Sequence, residues 1–120
     1  MARRSLSFPR TRRLTRDSDF ERVRREGRVY RGKILMVSVI TGTEAARFHA
    51  GFISSGRIGS AVVRNRVRRR LREIVRHHQH EIGSGAWIVT IARPVAASAS
   101  YRQLEDEWLR LAKRASILAA

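Results

Sequence analysis

Apolar positions change period several times along the chain, and each change predicts an element. Over residues 18–26, Phe20 and Val23 share one side among Arg22, Arg24 and Arg25. Ser18 and Glu21 stand at capping-box spacing and Gly27 offers a stop, so a short amphipathic helix is expected. Residues 29–41 are rich in β-branched side chains and read as one strand with a polar interruption on its less buried face. Gly42-Thr43-Glu44 begins a turn, and residues 47–55 read as a second strand, so the two are expected to pair as a hairpin. In that second strand Phe48, Ala50 and Phe52 fall on one side.

The period then becomes helical. Ser60 stands where a cap belongs, and Val63, Val67, Leu71, Ile74 and Val75 form one stripe of a helix expected to run to about Ile82. Residues 86–93 read as another strand, stopped by Pro94. Ser100 and Gln103 form a second capping box, and Leu104, Trp108, Leu111 and Ala115 share one face of a last helix. Helix, strands, helix, strand and helix make an α+β domain. Residues 1–13 are basic and poor in core residues, so they read as a flexible arm before a single domain over 14–120.

Charge narrows the function. The 120 residues hold 26 Lys+Arg and 10 Asp+Glu, a formal +16. Residues 1–80 contain 21 of those cations and 6 of the anions, a net of +15. The expected partner is therefore a polyanion, nucleic acid before an anionic membrane surface. Nearly every cation is Arg, whose planar fork suits phosphates and stacking. There is no Cys, which excludes disulfides, thiolate zinc sites and thiol nucleophiles. No apolar run has the length of a membrane span, and no apolar stretch follows the basic N-terminus as a secretory signal would require, so a cytoplasmic protein is expected.

Most of the charge chemistry lies on the middle helix, with seven Arg between positions 64 and 76. Like charges one turn apart destabilise a helix by roughly 0.2–0.5 kcal/mol per pair, so solubility is a poor reason for them. A row of phosphates turns that repulsion into attraction and releases counterions. The alternative is a solvated face with local pairs such as Arg69 with Glu73; the charge of the whole chain weighs against it.

The aromatics divide. Phe52, Trp87 and Trp108 read as core, Phe20 suits either core packing or base stacking, and Tyr30, between Arg28 and Arg31, reads as exposed. His77, His78 and His80 suit a helix C-terminus better than a metal, since no pair is spaced i, i+4. The carboxylates cluster locally rather than converging from separate elements as a two-metal nuclease requires, and Ser54, Ser55 and Ser60 lack a base and an orienting group. The residues describe a nucleic-acid binder without catalytic side chains.

The run Gly59-Ser60-Ala61-Val62-Val63-Arg64-Asn65-Arg66-Val67-Arg68-Arg69-Arg70-Leu71-Arg72-Glu73 resembles the signature of the protein component of bacterial ribonuclease P. Gly51 to Ser55 fit the strand before it; Leu14, Phe20, Val23 and Gly27 fit the family's N-terminal pattern; Ile88 to Pro94, Tyr101 and Leu104 fit its last strand and helix. The resemblance covers residues 14–115. It implies an α/β sandwich with a four-stranded sheet and the long basic helix as a left-handed β-α-β crossover. It also implies removal of the 5′ leader from precursor tRNA by a ribonucleoprotein in which the RNA performs the hydrolysis with Mg²⁺, bound mainly by that RNA. The implied partners are ribonuclease P RNA and precursor tRNA, with no membrane and no DNA.

Carried over by position, Arg64, Asn65, Arg66, Arg68, Arg69, Arg70 and Arg72 face the catalytic RNA. Phe20, Arg24, Tyr30, Lys33, Ser55 and Arg57 belong to the leader cleft or its edge. Three positions depart from the family pattern: Arg24 and Ser38 stand where aromatics are common, and Gly56-Arg57 replaces paired lysines. Two further readings stay open. A general RNA-binding or ribosome-associated protein explains the charge but not the motif order, and a protein-only nuclease requires cleavage without RNA. A DNA-binding basic helix is disfavoured because no heptad zipper follows it.

Overall fold

The structure, a computed structural model, describes residues 13–14, 16–44 and 47–118. The expected N-terminal arm, apart from Arg13, lies outside the described residues. Helix α1 spans Asp17–Glu26. Its N-cap is Arg16, which gives no side-chain cap, so Ser18 lies inside the helix and the expected capping box does not form. Asp17 and Asp19 favour the helix dipole there instead. Gly27 ends α1 as expected, in an extended conformation, and its role is close approach. A Cβ at Gly27 would lie 2.4 Å from the Val23 carbonyl oxygen and 2.9 Å from Ser38 Oγ.

The expected strand over 29–41 is two strands, β1 (Arg28–Arg31) and β2 (Leu35–Ile40), paired antiparallel with Arg31 opposite Met36. The cause is a buried carboxylate far away in sequence. Helix α3 spans Tyr101–Arg114, and its Glu107 accepts hydrogen bonds from the backbone N–H groups of Lys33, Ile34 and Leu35 at 3.1, 2.7 and 2.6 Å. Arg93 donates to the Gly32 carbonyl at 2.8 Å. Together they satisfy a turn that the apolar pattern conceals.

Strand β3 spans His49–Ser54 and β4 spans Trp87–Ala92. The sheet order is β1-β2-β4-β3. The expected hairpin between the second and third strands is therefore absent: β3 pairs parallel with β4, which pairs antiparallel with β2. The continuous apolar run of β4 fits a strand covered on both faces. Helix α2 (Ala61–His77) is the crossover between parallel neighbours.

Alternation sorts the strands into two faces. Val37, Val39, Ala50, Phe52, Ile88 and Ala92 pack with α2 and α3 in the main core, joined by Phe48, Val67, Leu71, Leu104 and Trp108. Trp108 Nε1 donates to Thr90 Oγ1 at 3.1 Å, which satisfies both buried groups. Leu14, Val23 and Val89 form a smaller cluster on the other face, with Phe20 and Trp87 against it. Trp87, read as core, packs half-buried against this smaller cluster and lies under the Arg22 guanidinium, 5.0 Å from the ring centre. Both predicted caps of the longer helices form: Ser60 accepts from the Val63 N–H, and Ser100 and Gln103 make their capping box.

Helix α2 ends at His77 rather than Ile82. His78 then closes a junction to α3: its Nδ1 lies 2.5 Å from Glu81 and its Nε2 3.1 Å from Glu105, with the ring stacked on Trp108. Carboxylates face both ring nitrogens, and only the imidazolium donates to both. Burial opposes the charged ring, but the two hydrogen bonds and the two negative charges outweigh it and raise the pKa above the ordinary 6.5.

Two outcomes follow. Replacing Glu107 with Ala leaves three backbone donors without their carboxylate and destabilises the protein by about 3 kcal/mol or more, measured by urea unfolding. The stability from His78 is fully present below its unfolded value, about pH 6.5, and is lost as pH rises through the raised folded value. Thermal melts of wild type and His78→Gln should therefore differ most in mild acid and converge in mild alkali.

Candidate nucleic-acid interface

The basic surface of α2 exists because its apolar stripe is committed to the core. Val67, Leu71, Ile74 and Val75 are buried, which turns the intervening arginines outward and sideways. Three of them brace against the protein's own carbonyls. Arg64 Nη1 donates to Gly59 at 3.0 Å, Arg66 Nη2 to Ala97 at 3.3 Å and Arg70 Nη1 to Ala99 at 3.2 Å. Each guanidinium has five N–H donors, so these braces orient the groups without exhausting them. Asn65 accepts from Arg68, and both Asn65 and Arg69 are exposed.

Glu73 does not neutralise Arg69. It pairs with Arg76 at 2.6 Å, and that hydrogen bond keeps its carboxyl below the usual range. Arg72 lies deeper: its Nε is buried with no hydrogen-bond partner, and Arg66 shares that feature. Burial first, then the charges of Arg13 and Arg68, hold the Arg72 pKa below the ordinary arginine value. Among the described residues neither Arg68 nor Arg72 forms an ion pair with a carboxylate. Arg72 thus feels the like charges of Arg13 and Arg68, a repulsion that a bound anion would relieve.

Arg13 was missed as a site residue because its composition assigns it to the arm. The signal was its neighbour: Leu14 is buried, its N–H bonds the Ala50 carbonyl at 2.8 Å, and Arg13 bridges Ala50 in parallel.

On the opposite face, α1 and the sheet enclose a cleft of about 510 Å³. Phe20 and Arg24 line it, as expected of them. The other four expected cleft residues do not. Tyr30 points to the opposite face of β1, packs on the main core and lies 6.0 Å from the Arg114 guanidinium. Alternation explains this, since its neighbours Val29 and Arg31 are the residues that face the cleft. Lys33 is exposed on the β1–β2 turn that Glu107 holds. Ser55 and Arg57 are exposed beyond the end of β3, where the short turn Gly56–Ile58 packs against α2.

The cleft floor is apolar. Val23 and Val89 are buried, and Met36 and Ile91 are half-buried. Ser38 is also buried there, but its hydroxyl donates to the Val23 carbonyl at 3.3 Å. The position where an aromatic is common thus closes the helix–sheet contact. Among the described residues no group of three or more His, Asp or Glu side chains is placed to hold a metal ion. No helix among them is long and apolar enough to cross a membrane.

Comparison with known proteins matches this geometry. The family described as Ribonuclease P matches residues 8–116. A ribonuclease P protein component from Acidothermus cellulolyticus is 43% identical over 108 residues, covering 89% of this chain and 90% of its own. One from Roseiflexus castenholzii is 39% identical over 107 residues, covering 88% and 87%. Among solved structures, the Staphylococcus aureus ribonuclease P protein aligns with a TM-score of 0.83 at 26% identity, over 89% of this chain and 97% of its own. The Thermotoga maritima protein aligns with a TM-score of 0.77 at 25% identity, over 85% and 96%. The α+β fold, the arginine-lined crossover helix and the matched length agree, and the chain belongs to the ribonuclease P protein family.

Proposed function

We propose that this chain is the protein subunit of a ribonuclease P ribonucleoprotein that removes the 5′ leader of precursor tRNA. The observation that carries the reading is the arginine surface of α2, on which Arg64, Arg66 and Arg70 are braced on backbone carbonyls. In this reading Arg64, Asn65, Arg66, Arg68, Arg69, Arg70 and Arg72 meet the phosphates and sugars of the catalytic RNA. The cleft beside Phe20 takes the single-stranded leader, because an aromatic face on an apolar floor suits an unpaired base.

Hydrolysis and its Mg²⁺ are assigned to the RNA. The carboxylates support that assignment: Glu73, Glu81, Glu105 and Glu107 are each engaged with a cation, an imidazole or backbone N–H groups. The protein's contribution is binding energy and orientation, which place the scissile bond of a bound substrate without supplying a nucleophile.

Reconstitution tests this. The protein alone should leave precursor tRNA intact, whereas with its RNA at low Mg²⁺ it should raise cleavage and favour precursor over mature tRNA. Equal binding of both tRNAs would support the general RNA-binding reading instead, and cleavage by RNA-free protein would support a protein-only nuclease. Substituting Arg64 or Arg66 with Ala should weaken binding of the RNA subunit. It should also flatten log K against log salt by roughly 0.7–0.9 for each phosphate that is no longer neutralised. An unchanged slope removes that arginine from the interface.

A further inference from the structure

The cleft has an asymmetry that the resemblance does not explain. Helix α1 crosses the sheet obliquely. Phe20 lies over Gly51 of the β3 edge, where a Cβ would come within 2.5 Å of its ring, whereas Val23 lies over Ser38 of β2. The helix therefore runs from β3 towards β1, which it joins through Gly27. Asp17 and Phe20 mark the β3 end of the cleft, and Arg24 stands towards the β1 end. Arg31, on edge strand β1, closes that same end from the sheet side.

Both guanidiniums are available to a ligand. The Arg24 side chain is 83% exposed, and its nearest carboxylate, Glu21, stands 4.0 Å away, at the limit of an ion pair. Arg31 is exposed, and its guanidinium has no hydrogen bond or ion pair among the described residues. The floor between them offers no unengaged hydrogen-bonding side chain, because the Ser38 hydroxyl is committed to Val23. Among the described residues Phe20 is the only aromatic lining the cleft.

We infer that Arg24 and Arg31 form a two-sided clamp for one backbone phosphate of the single-stranded leader, at the β1 end of the cleft, with the adjoining base laid on the apolar floor towards Phe20. The inference rests on the leader reading of this cleft. Its polarity follows from charge, since Asp17 repels a phosphate from the α1 side of the other end, where no guanidinium lines the cleft among the described residues. Its specificity follows from the floor: with no free donor or acceptor there, the cleft holds a strand through charge and stacking and does not read base edges. Arg24 thus replaces a stacking contact with an ionic one, and Arg31 is its counterpart on the sheet.

The test uses the reconstituted holoenzyme and measures affinity for precursor relative to mature tRNA. Arg24→Gln, Arg31→Gln and Phe20→Leu are compared, together with leaders carrying either ordinary or uncharged methylphosphonate linkages and leaders of changed base sequence. Each Arg→Gln substitution should lower the preference for precursor roughly fivefold and flatten the salt dependence by about 0.7 in log–log slope. Neutral linkages should lower that preference for wild type and have less effect on Arg31→Gln, while changing the leader bases should leave it nearly constant. If Phe20→Leu lowers the preference but neither arginine variant does, the cleft binds the leader and the clamp is wrong. If base sequence matters and linkage charge does not, the clamp is also wrong. If none of the three substitutions alters the preference, the leader reading of the cleft fails with it.

Discussion

A carboxylate with almost no exposure to solvent sets the frame of this molecule. Glu107 is 3% exposed, yet it accepts three backbone hydrogen bonds from the β1–β2 turn, and Arg110 lies 3.2 Å away. A buried charge is tolerable only when its lone pairs are engaged in this way. The bond set ties α3 to the turn, and the turn sets the register in which Arg31 faces Met36. A slip of one residue there would send Arg31 to the helical face and Tyr30 into the cleft. Gly32 belongs to the same device, because a Cβ on it would lie 2.6 Å from the Glu107 carboxylate. The composition of one face of the sheet therefore depends on a residue packed against the other.

Helix α2 meets a different constraint. Its repulsions are individually small, roughly 0.2–0.5 kcal/mol per like-charged pair one turn apart. Its four buried apolar side chains each contribute on the order of 1.5–3 kcal/mol. Burial therefore dominates, and the helix can carry a surface that would disfavour it in isolation. The braces from Arg64, Arg66 and Arg70 to backbone carbonyls restrict those guanidiniums before any RNA arrives, which reduces the side-chain entropy lost on binding.

What was legible in the chain follows the range of the interactions involved. The α2 stripe, the Ser60 cap, the Ser100–Gln103 box and the α3 face are local patterns, and they appear as read. The basic helix, the Arg-Asn-Arg run and the family resemblance were legible for the same reason. The split of residues 29–41 was hidden because Glu107 lies more than 70 positions away. The sheet order was hidden because β3 waits for a strand beyond α2. In the cleft, Phe20 and Arg24 were legible from the helix, while Arg31 was missed and Tyr30 misplaced because the phase of β1 depends on that distant carboxylate. Arg13 was missed because a basic tail and a basic residue bridged to a strand look alike until Leu14 is seen to be buried.

The parallel pairing of β3 with β4 also sets an order on the ribosome. When β3 leaves the exit tunnel, only the β1–β2 hairpin has a sequence neighbour with which to pair, and β3 presents both edges. Its partner follows only after the whole of α2 has been made, and Leu104 and Trp108, which close the main core, come later still. The arginine-rich helix therefore emerges with its apolar stripe uncovered and its positive charges adjacent to a particle made largely of RNA. Such long-range closure slows folding relative to local pairing. The core of such a chain cannot close until nearly its last helix, and until then an uncovered apolar stripe stands beside concentrated positive charge.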